Sequence, residues 1–503
     1  MTKYLAIDLG AESGRVMLGE LSGGQLRLRE LHRFANAPVK AKGTLRWDVI
    51  RLWNEIQVGL RAASTHAPIR SLACDSWGVD YVLLDRSDSL LGLPYTYRDP
   101  RTASVFAEVH KQLGPSNLYA ATGIGSYSIN TLYQLVAEVR SGARALGAAD
   151  RLLLIADYFN WMMSGVSRAE TTLASTTQCW DAKRRRWAWP LLKRLSIPSR
   201  IFPRTIEPGS VLGGLLPEVA ARAGLQRTAK GTTAAAAQVV ATCSHDTACA
   251  VVATASAGRN WAYLSSGTWS LLGVELPRPI VTEAARIANF TNEAGFAGTT
   301  RFLKCLVGLW ILQECRREWR GASVDYSRIV TLARTAQPLR SLIRPDDPRF
   351  ATPGAMTKKI QTYCRETNQP IPATRAAVSR CIFESLALLY KMEIDTLESL
   401  TGRTISTLHI VGGGSQNPLL NQLTANAIGR RVVAGPVEAT AAGNILVQAI
   451  AMGDLPGIAA ARTVMRRSFT LKTFEPSASA RSVDSWHRAR DAFAALPDGK
   501  TTP

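Results

Sequence analysis

The sequence predicts an α/β protein built from two domains. Its second half alternates predicted strands with predicted helices, which is the pattern of a sheet with parallel strands and helices on its faces. At 503 residues the chain exceeds one ordinary core and is expected to divide into domains of about 200–250 residues. Two segments half a chain apart, 5–19 and 262–273, each read as an apolar strand, a tight turn of small residues and a second strand. These two hairpins indicate a two-lobed protein.

The composition of the two hairpin turns indicates phosphate binding. Gly, Ser and Thr let backbone N–H groups approach a phosphate that a bulky side chain would keep away. Asp8 ends the first strand, and the turn after it contains Ser13 and Gly14, followed by Arg15. A carboxylate beside a phosphate is favourable when Mg²⁺ lies between them, directly or through water. The alternative is a turn-capping Asp. Two such hairpins predict lobes that close on a nucleotide from both sides.

The first half opens with strands and continues with helices. Strands are predicted at 3–9, 14–20, 26–34, 71–77 and 81–85. A helix begins after the N-cap Asp48 and is expected to bury Ile50, Trp53, Ile56 and Leu60. Residues 101–165 are predicted to be mostly helical.

The second half follows a polar, Ala-rich stretch at 223–238, which has the character of an exposed loop. We place the domain boundary in the strand that follows, giving an N-terminal domain 1–243, a C-terminal domain 244–488 and a polar tail 489–503 that is expected to fray. Strands are predicted at 408–413 and 431–436, and helices at 375–400, 417–429 and 438–453. The buried face of the long helix is predicted to consist of Ile382, Leu386, Leu389 and Leu397.

The charge is strongly basic, with 60 Lys and Arg against 39 Asp and Glu and a net charge of +21. Such a balance suits nucleic-acid binding. The basic residues are scattered, however, and the longest cluster, 183–186, has no nucleic-acid-binding motif beside it. We therefore favour a basic surface that attracts anionic nucleotides, and we expect no nucleic-acid partner.

Membrane and export signals are weak. No apolar run reaches the roughly 18 residues that a membrane span needs. The N-terminus has one Lys before its first strand, which argues against a signal peptide. None of the eight cysteines forms a CxxC pair or a zinc-spaced cluster. These features predict reduced thiols in a cytoplasmic protein with no membrane partner. Cys364 and Cys381 flank a Pro-containing turn and could meet, although a reducing compartment disfavours a disulfide.

A polar tetrapeptide at the predicted domain boundary is the candidate catalytic segment. It reads Ser244-His245-Asp246-Thr247 and follows an apolar strand. An Asp at a cleft can accept the proton of a hydroxyl that attacks phosphorus. A Ser-His-Asp triad is excluded because adjacent residues cannot align as nucleophile, base and orienter. A helix N-cap Asp is the alternative.

These segments together resemble the FGGY sugar kinases, which share the actin/hexokinase fold. The resemblance covers nearly the whole chain and is carried by AIDLGAESGRVMLG, DSWGVDYVLLD, GLPYTYRDPRT, INTLYQL, SHDTA, AYLSSGTWSLLG, NFTNEAG, GLWILQE, CRETNQPIP, CIFESLALLY, HIVGGGSQN and GPVEATAAGN. It implies two actin/hexokinase-like (ribonuclease H-like) domains with a nucleotide and sugar cleft between them. Within the family, DSWGVDYVLLD resembles the subfamily that phosphorylates the 1-hydroxyl of L-rhamnulose with ATP and Mg²⁺.

The resemblance also implies roles for individual residues. The implied ATP contacts are Ala11, Glu12, Ser13, Gly14, Arg15, Thr268, Gln313 and Gly413. The implied sugar contacts are Gly78, His245, Asp246, Thr247 and the position of Cys305, with Asp246 as proton acceptor. Asp8 is the candidate Mg²⁺ ligand, directly or through water. Two positions depart from the family: Cys305 stands where the family has a sugar-contacting Asn, and Glu12 replaces a smaller residue.

Cys305 leaves the exact sugar open, because a thiol is a weaker hydrogen-bonding group than an amide. One alternative is a kinase for another ketose, such as L-fuculose or L-xylulose. An actin-like ATPase without a sugar substrate is an alternative of another class, and a nucleic-acid binder is a third. The sequence does not decide between a monomer and a homo-oligomer.

Overall fold

A computed structural model describes residues 1–226, 236–319 and 325–497. The strands are β1 (Thr2–Leu9), β2 (Ser13–Ser22), β3 (Gln25–Ala35), β4 (Val39–Ala41), β5 (Thr44–Arg46), β6 (Ser71–Ser76), β7 (Tyr81–Leu84), β8 (Arg151–Leu154), β9 (Ala169–Glu170), β10 (Trp180–Asp181), β11 (Arg186–Trp187), β12 (Thr205–Ile206), β13 (Ser210–Gly214), β14 (Gln238–Ala241), β15 (Trp261–Ser266), β16 (Trp269–Leu276), β17 (Thr291–Ala294), β18 (Thr300–Val307), β19 (Thr407–Val411), β20 (Arg431–Ala434) and β21 (Lys472–Phe474).

The helices are α1 (Val49–Ala62), α2 (Ala103–Leu113), α3 (Pro115–Thr122), α4 (Thr131–Arg140), α5 (Arg144–Ala148), α6 (Ile155–Ser164), α7 (Thr171–Ala174), α8 (Trp189–Arg194), α9 (Pro217–Ala223), α10 (Asp246–Val252), α11 (Glu283–Ile287), α12 (Trp310–Glu318), α13 (Tyr326–Thr335), α14 (Met356–Glu366), α15 (Arg375–Thr401), α16 (Pro418–Ile428), α17 (Ala439–Ala451), α18 (Ile458–Ser468) and α19 (Ala480–Ala494). Within the described residues, no helix has the length and apolar character needed to cross a bilayer. Most of the loop predicted at 223–238 lies outside the described residues.

The chain forms two compact units, and each is assembled from several segments. The first unit consists of Met1–Ala255, Glu275–Leu303 and Ala439–Ser468. The second consists of Ser256–Val274, Lys304–Glu438 and Phe469–Pro503. The predicted boundary after residue 243 lies inside the first unit, and the chain after it contributes to both units.

The first unit is built on a six-stranded sheet with the order β13-β14-β6-β1-β2-β3. Strand β1 pairs antiparallel with β2 and parallel with β6, so that Asp8 has Arg15 as its neighbour on one side and Asp75 on the other. The first three predicted strands are confirmed. Because strand register fixes which residues lie side by side, three charged residues meet at one end of this sheet.

Helix α1 begins as predicted, since the Asp48 side chain accepts a hydrogen bond from the Arg51 backbone N–H at 3.0 Å. Its predicted buried face is partly wrong. The side chain of Ile50 is 58% exposed. The buried residues are Val49, Leu52, Ile56, Gly59 and Leu60. The apolar stripe starts at the first helical residue and not at the second, which rotates the buried face by one position.

Helix α17 belongs to the first unit although it comes late in the chain. It packs on β1, β6 and α10. Gly443 makes the contact with α10 possible, because a Cβ at this position would lie 1.8 Å from the Cys249 carbonyl oxygen. Ile445 of the same helix lies against Gly19 of β2, where a Cβ would be 2.4 Å away. Small residues therefore let this helix approach the sheet closely.

The second unit contains strands β15, β19, β20 and β21 and most of β16, which belong to a seven-stranded sheet with the order β17-β18-β16-β15-β19-β20-β21. Strand β15 pairs antiparallel with β16 and parallel with β19, and β19 pairs parallel with β20. The predicted strand–helix alternation is confirmed here. The long helix is confirmed as α15, which begins after the N-cap Thr374 and ends at Gly402 with φ 65°. Its predicted inward residues Ile382, Leu386, Leu389 and Leu397 are all buried.

One prediction about local structure is confirmed with an exception, and another is wrong. The region 101–165 is mostly helical, as predicted, but it also contains strand β8, a short apolar run that pairs antiparallel with β7. Periodicity alone does not separate such a run from a buried helix segment. The polar tail predicted from residue 489 is helical up to Ala494, because Trp486, Ala489 and Phe493 form a buried stripe on α19. Residues 498–503 of that tail lie outside the described residues.

Candidate functional site

The turn between β1 and β2 is closed by backbone hydrogen bonds. The Gly10 N–H donates to the Ser13 carbonyl at 2.8 Å, and the partly buried Ala11 and the exposed Glu12 form the bend between them. Asn36 supports the turn, since its side chain donates to the Gly10 carbonyl at 2.8 Å and its N–H donates to the Glu12 carbonyl at 2.9 Å. The turn is thus a rigid loop of small residues with its bend facing solvent.

Asp8 and Arg15 meet across this hairpin as an ion pair. The pairing follows from the register of β1 and β2, in which the two residues are direct partners. Gly14, which the sequence suggested for phosphate access, has a packing role here. A Cβ at this position would lie 2.3 Å from the Phe34 ring. Packing against the neighbouring strand therefore explains this glycine.

Asp75 ends the next strand of the same sheet and lies beside Asp8 in the parallel register. It is fully buried, and the Asn444 side chain donates to its Oδ2 at 2.6 Å. Its Oδ1 accepts no hydrogen bond from any described residue. Burial raises the pKa of Asp75 well above its usual range, and the charges of Asp8 and Asp246 add to this rise. Sequence analysis did not select Asp75, although its position at a strand end was visible.

Asp246 is the first residue of α10, and β6 holds the segment before it. The Ser76 N–H donates to the Ser244 carbonyl at 2.9 Å. Asp246 Oδ1 accepts hydrogen bonds from the Thr247 N–H at 2.5 Å and the Thr247 hydroxyl at 3.1 Å. The carboxylate keeps 29% of its surface exposed. Withdrawal from water raises its pKa and the charge of Asp8 contributes, which suits a group that accepts a proton.

The buried Glu170 fixes the backbone that presents His245 and Asp246. Its Oε2 accepts from the Ser244 N–H at 2.9 Å, and the Thr172 hydroxyl accepts from the His245 N–H at 3.2 Å. Burial raises the pKa of Glu170 to about 7. Sequence analysis missed this residue, because nothing local marks a carboxylate that contacts a segment 74 residues away.

His245 is buried between two carboxylates, with a guanidinium beside one of them. Its Nε2 lies 3.4 Å from Asp246 Oδ1, and its Nδ1 lies 3.2 Å from Glu293 Oε2. The Arg301 Nη2 lies 3.1 Å from the same Nδ1. The structure therefore joins the predicted residues 245–247 to two charged residues that sequence analysis did not select.

Gly78 lies in the loop after β6, in tight contact with Thr176. A Cβ at Gly78 would lie 2.8 Å from the Thr176 hydroxyl oxygen. The same hydroxyl accepts a hydrogen bond from the N–H of Val79, whose φ is 68°. This contact fixes the backbone of the loop that was predicted to touch the sugar.

The loop is anchored by Asp80, which is fully buried. Its Oδ2 accepts from the Trp47 and Trp77 indole N–H groups at 2.6 and 3.0 Å and from the Tyr97 N–H at 3.1 Å. Its Oδ1 accepts from Gln134 at 3.0 Å. Burial raises the pKa of Asp80 to about 6, against the effect of these donors. Four neutral donors thus stabilise one carboxylate that holds the loop.

The hairpin of the second unit brings two predicted ATP contacts together. The Gly267 N–H donates to the Trp269 carbonyl at 2.9 Å and closes the turn. The Gln313 side chain donates to the Thr268 hydroxyl at 3.2 Å. The two residues are 45 positions apart in the chain, so it is tertiary structure that brings them together.

The glycine run after β19 packs against the end of β15. Gly412 has φ 81°, and a Cβ there would lie 3.1 Å from the Ser266 carbonyl oxygen. A Cβ at Gly414 would lie 2.0 Å from the Ser266 Oγ. Gly413, the predicted ATP contact, begins the short helical turn Gly413–Gln416 between these two positions. Close packing against Ser266 therefore requires glycine at positions 412 and 414. Gly413 itself is exposed, so its backbone is accessible.

The remaining predictions concern three cysteines. Cys305 lies on β18 in the second unit and is partly exposed. Cys364 and Cys381 are not joined by a disulfide, and none of the other cysteines forms one. Their thiols interact, and this contact lowers the pKa of Cys364 and raises that of Cys381. The two side chains meet, as the sequence suggested, but without a bond.

A metal site made by protein ligands alone is not part of the described structure. The described residues contain no group of three or more His, Cys, Asp or Glu side chains that could hold a metal ion. Asp8 and Asp75 form a pair of carboxylates and not such a cage. The donor set suits Mg²⁺, which is usually held by one or two carboxylates together with substrate phosphates and water.

Comparison with protein families gives two adjoining matches. Residues 3–253 match the profile of the FGGY family of carbohydrate kinases, N-terminal domain, and residues 262–452 match that of the C-terminal domain. Together the two matches cover most of the chain.

Individual relatives agree with this result. The chain is 44% identical to a rhamnulokinase from Bacteroides thetaiotaomicron over 474 residues, covering 94% of this chain and 96% of the relative. It is 41% identical to a rhamnulokinase from Enterococcus faecalis, covering 94% of each. A gluconate kinase from Lactobacillus acidophilus superposes with a TM-score of 0.81 over 98% of this chain and 97% of the other, at 14% identity. That structure supports the two-domain actin/hexokinase-like fold alone.

Proposed function

Because the chain belongs to the FGGY family of carbohydrate kinases, we propose that it transfers the γ-phosphoryl group of ATP to the 1-hydroxyl of L-rhamnulose, giving L-rhamnulose 1-phosphate and ADP. The choice of sugar is supported by the rhamnulokinase relatives over nearly the full length. The chemistry is supported by one observation above all. Asp246 presents a partly exposed carboxylate whose pKa is raised and whose backbone is fixed from both sides.

Asp246 is the proton acceptor in this proposal. As the sugar hydroxyl oxygen attacks the γ-phosphorus, the new O–P bond forms and the bond to the β-phosphate oxygen breaks. The hydroxyl proton passes to Asp246. Since Thr247 already donates twice to Oδ1, Oδ2 is the oxygen that receives it. Most of the rate enhancement then comes from positioning and electrostatics, as in other phosphoryl transfers.

ATP is proposed to contact both hairpins. The contacts in the first unit are Ala11, Glu12, Ser13, Gly14 and Arg15. Those in the second unit are Thr268, Gln313 and Gly413. Support comes from the exposed bend of the first turn and from the Thr268–Gln313 hydrogen bond. Backbone N–H groups at such turns bind phosphate oxygens without a side chain in the way.

Mg²⁺ is proposed to accompany ATP. Asp8 would hold it, directly or through water, with Asp75 beside it. The buried Asp75 Oδ1 without a described partner supports this placement. When bound, the ion neutralises charge on the phosphate oxygens. Arg15, already paired with Asp8, keeps the carboxylate at the strand end oriented.

The sugar is proposed to contact Gly78, His245, Asp246, Thr247 and Cys305. Support comes from the loop anchored on Asp80 and from the fixed backbone of 244–247. We also propose a cytoplasmic location, because none of the eight cysteines forms a disulfide, as expected in a reducing compartment.

The test is a panel of ketoses with ATP and Mg²⁺, in which ADP release is measured and the phosphorylated position of the product is read by NMR. We expect L-rhamnulose to give the highest kcat/KM and a 1-phosphate product. A higher kcat/KM for L-fuculose or L-xylulose would contradict the assignment of L-rhamnulose as the substrate but would support the proposed phosphoryl transfer. ATP turnover that no sugar stimulates would contradict the kinase proposal and favour an actin-like ATPase. Salt-sensitive retention on DNA without turnover would favour a nucleic-acid binder.

A further inference from the structure

A buried ion pair lies behind the proposed catalytic segment. Glu293 and Arg301 are direct partners in the antiparallel pairing of β17 and β18. Arg301 is fully buried, its Nε donates to the Ala294 carbonyl at 3.0 Å, and its Nη2 lies 2.9 Å from Glu293 Oε2. The expected functions of the site use neither residue. A fully buried guanidinium requires a reason, because burying a charge is costly unless it is paired and hydrogen-bonded.

The position of Arg301 restricts the protonation of His245. Its Nη2 lies 3.1 Å from His245 Nδ1. A guanidinium has only donors, so this contact is a hydrogen bond only when Nδ1 is the acceptor. Glu293 Oε2 lies 3.2 Å from the same nitrogen and would accept its proton in the other tautomer. A neutral imidazole that accepts at Nδ1 carries its proton on Nε2.

The proton is then on the nitrogen that lies nearer to the carboxylate of Asp246. Nε2 lies 3.4 Å from Asp246 Oδ1, the oxygen that already accepts twice from Thr247. Both hydrogen bonds that Thr247 gives to this carboxylate are made to Oδ1 and not to Oδ2. All polarisation from the protein is therefore concentrated on one oxygen, and the other is left for the incoming hydroxyl.

We propose that Arg301, oriented by Glu293, is a positioning residue that fixes His245 in its Nε2–H tautomer, so that Asp246 keeps Oδ2 as the single proton acceptor. This inference rests on the proposed function for its catalytic meaning, but the tautomer itself is a property of the protein without substrate. Glu293 supports Arg301 as a carboxylate: burial opposes its ionisation, yet the charge of Arg301 lowers its pKa overall.

The direct test is NMR of protein labelled with ¹⁵N at histidine. The chain has six histidines, and the His245→Asn variant assigns the signal of interest. We expect His245 in the wild-type protein to show a protonated Nε2 and an unprotonated Nδ1. A protonated Nδ1, alone or in an imidazolium, would overturn the proposal. This measurement needs no sugar, so a failure of the substrate assignment leaves its outcome unaffected.

Variants connect the tautomer to turnover. In Arg301→Met we expect the proton to move to Nδ1, facing Glu293, and kcat to fall about 10–100-fold, the usual effect of losing a supporting hydrogen bond. The KM for ATP should change little. Arg301→Lys keeps a donor and should restore part of kcat. Equal losses in the Met and Lys variants with an unchanged tautomer would contradict the proposal.

The matched control is Arg462→Met. Arg462 forms another partly buried ion pair of the first unit, with Glu275. Its loss should lower stability without moving the His245 proton. If Arg301→Met fails to fold, the wild-type spectrum and the Glu293→Gln variant still decide the matter. Glu293→Gln keeps the size of the side chain and is expected to lower kcat less than Arg301→Met. A larger loss than in Arg301→Met would mean that Glu293, and not Arg301, controls the histidine.

Discussion

The two units build the same sheet around different chemistry. In the first, the hairpin β1–β2 is extended by β6, β14 and the antiparallel edge strand β13. In the second, the hairpin β15–β16 is extended by β19, β20 and the antiparallel edge strand β21. Strands β3 and β18 lie on the other side of their hairpins. The likeness first seen in two short segments thus extends to six strands of each sheet, and the second sheet adds β17 beside β18.

What differs is the charge at the strand ends. The first unit places Asp8, Arg15 and Asp75 there. The second unit places Ser266, Thr268 and a run of glycines at the equivalent ends. The same backbone therefore supports ionisable groups in one unit and neutral, closely packed groups in the other. We infer that the first unit supplies the proton acceptor and that the second supplies closely packed, neutral backbone turns.

Buried carboxylates differ in whether a cation is paired with them, and the first unit contains both kinds, since Glu293 is paired with Arg301. In the first unit Asp80 is held by neutral donors, and burial raises its pKa to about 6. In the second unit Glu393 is paired with Lys304 at 2.7 Å and Glu384 with Arg380 at 2.5 Å. A carboxylate that lacks a cationic partner keeps a pKa closer to neutrality, as proton transfer requires.

The strongest test of this contrast is Asp246→Asn. We expect turnover to fall about 10²–10⁴-fold, the usual contribution of a general base. ATP binding should persist, because the nucleotide contacts proposed above are made elsewhere. Turnover is followed by ADP release, and binding by nucleotide titration. The exposed Asp395→Asn is the control for removal of a carboxylate. Near-normal turnover in Asp246→Asn would exclude this residue as the base.

A second test uses the pH dependence of stability in Asp80→Asn. Wild-type Asp80 has a pKa of about 6 in the folded protein against 3.8 when unperturbed, so the folded state holds its proton longer. Stability from this group is therefore highest below pH 4 and is lost as pH rises to about 6. The amide does not titrate. The difference in unfolding free energy between wild type and variant should fall by on the order of 3 kcal/mol over this range.

Urea unfolding at several pH values measures that difference. Asp80→Asn is expected to be less stable at every pH, because its amide group faces indole donors with donors of its own. A difference between wild type and variant that is constant from pH 4 to pH 7 would contradict the raised pKa.

Much of the fold was accessible from the sequence, because hairpins and amphipathic helices are local patterns. The strands of the first hairpin, the N-cap Asp48 and the long helix α15 were all predicted from spacing alone. The errors arose where local pattern is ambiguous. Strand β8 is a short apolar run inside a helical region, and α19 buries a stripe in a segment of polar composition.

The candidate site was predicted only in part. Residues in contiguous motifs, such as His245 and Asp246, were identified because the motif carries them. Glu170, Glu293 and Arg301 were missed. Each acts through a contact with a segment 48 to 74 residues away, so only tertiary structure brings it to the site. A charged residue inside the largely apolar strand Thr300–Val307 is a sequence signal that could have marked Arg301.

A third test, Gly414→Ala, addresses the close packing of the glycine turn in the second unit. The new methyl group would lie 2.0 Å from the Ser266 Oγ, so the glycine turn must shift. Overpacking of this kind typically costs about 1–3 kcal/mol. We expect the KM for ATP to rise about tenfold, with a smaller change in kcat.

The control for this variant is the double change Ser266→Gly with Gly414→Ala. Removing the Ser266 side chain leaves the backbone oxygen at 3.1 Å as the nearest atom, so the strain is largely relieved. The double variant should recover most of the ATP affinity. A double variant as weak as Gly414→Ala would mean that close packing is not the reason for the glycine.

The smallest expected effect is that of Cys305→Asn. This variant distinguishes the proposed roles of the two units most clearly. An amide on β18 can add one neutral hydrogen bond to the sugar, worth about 0.5–1.5 kcal/mol, or about a 2- to 10-fold lower KM. Cys305→Ser is the matched control, since its hydroxyl reaches no further than the thiol and should change KM less. A change in the second unit should therefore move KM while kcat stays, whereas Asp246→Asn in the first moves kcat. If Cys305→Asn leaves the sugar KM unchanged, the sugar does not use this position.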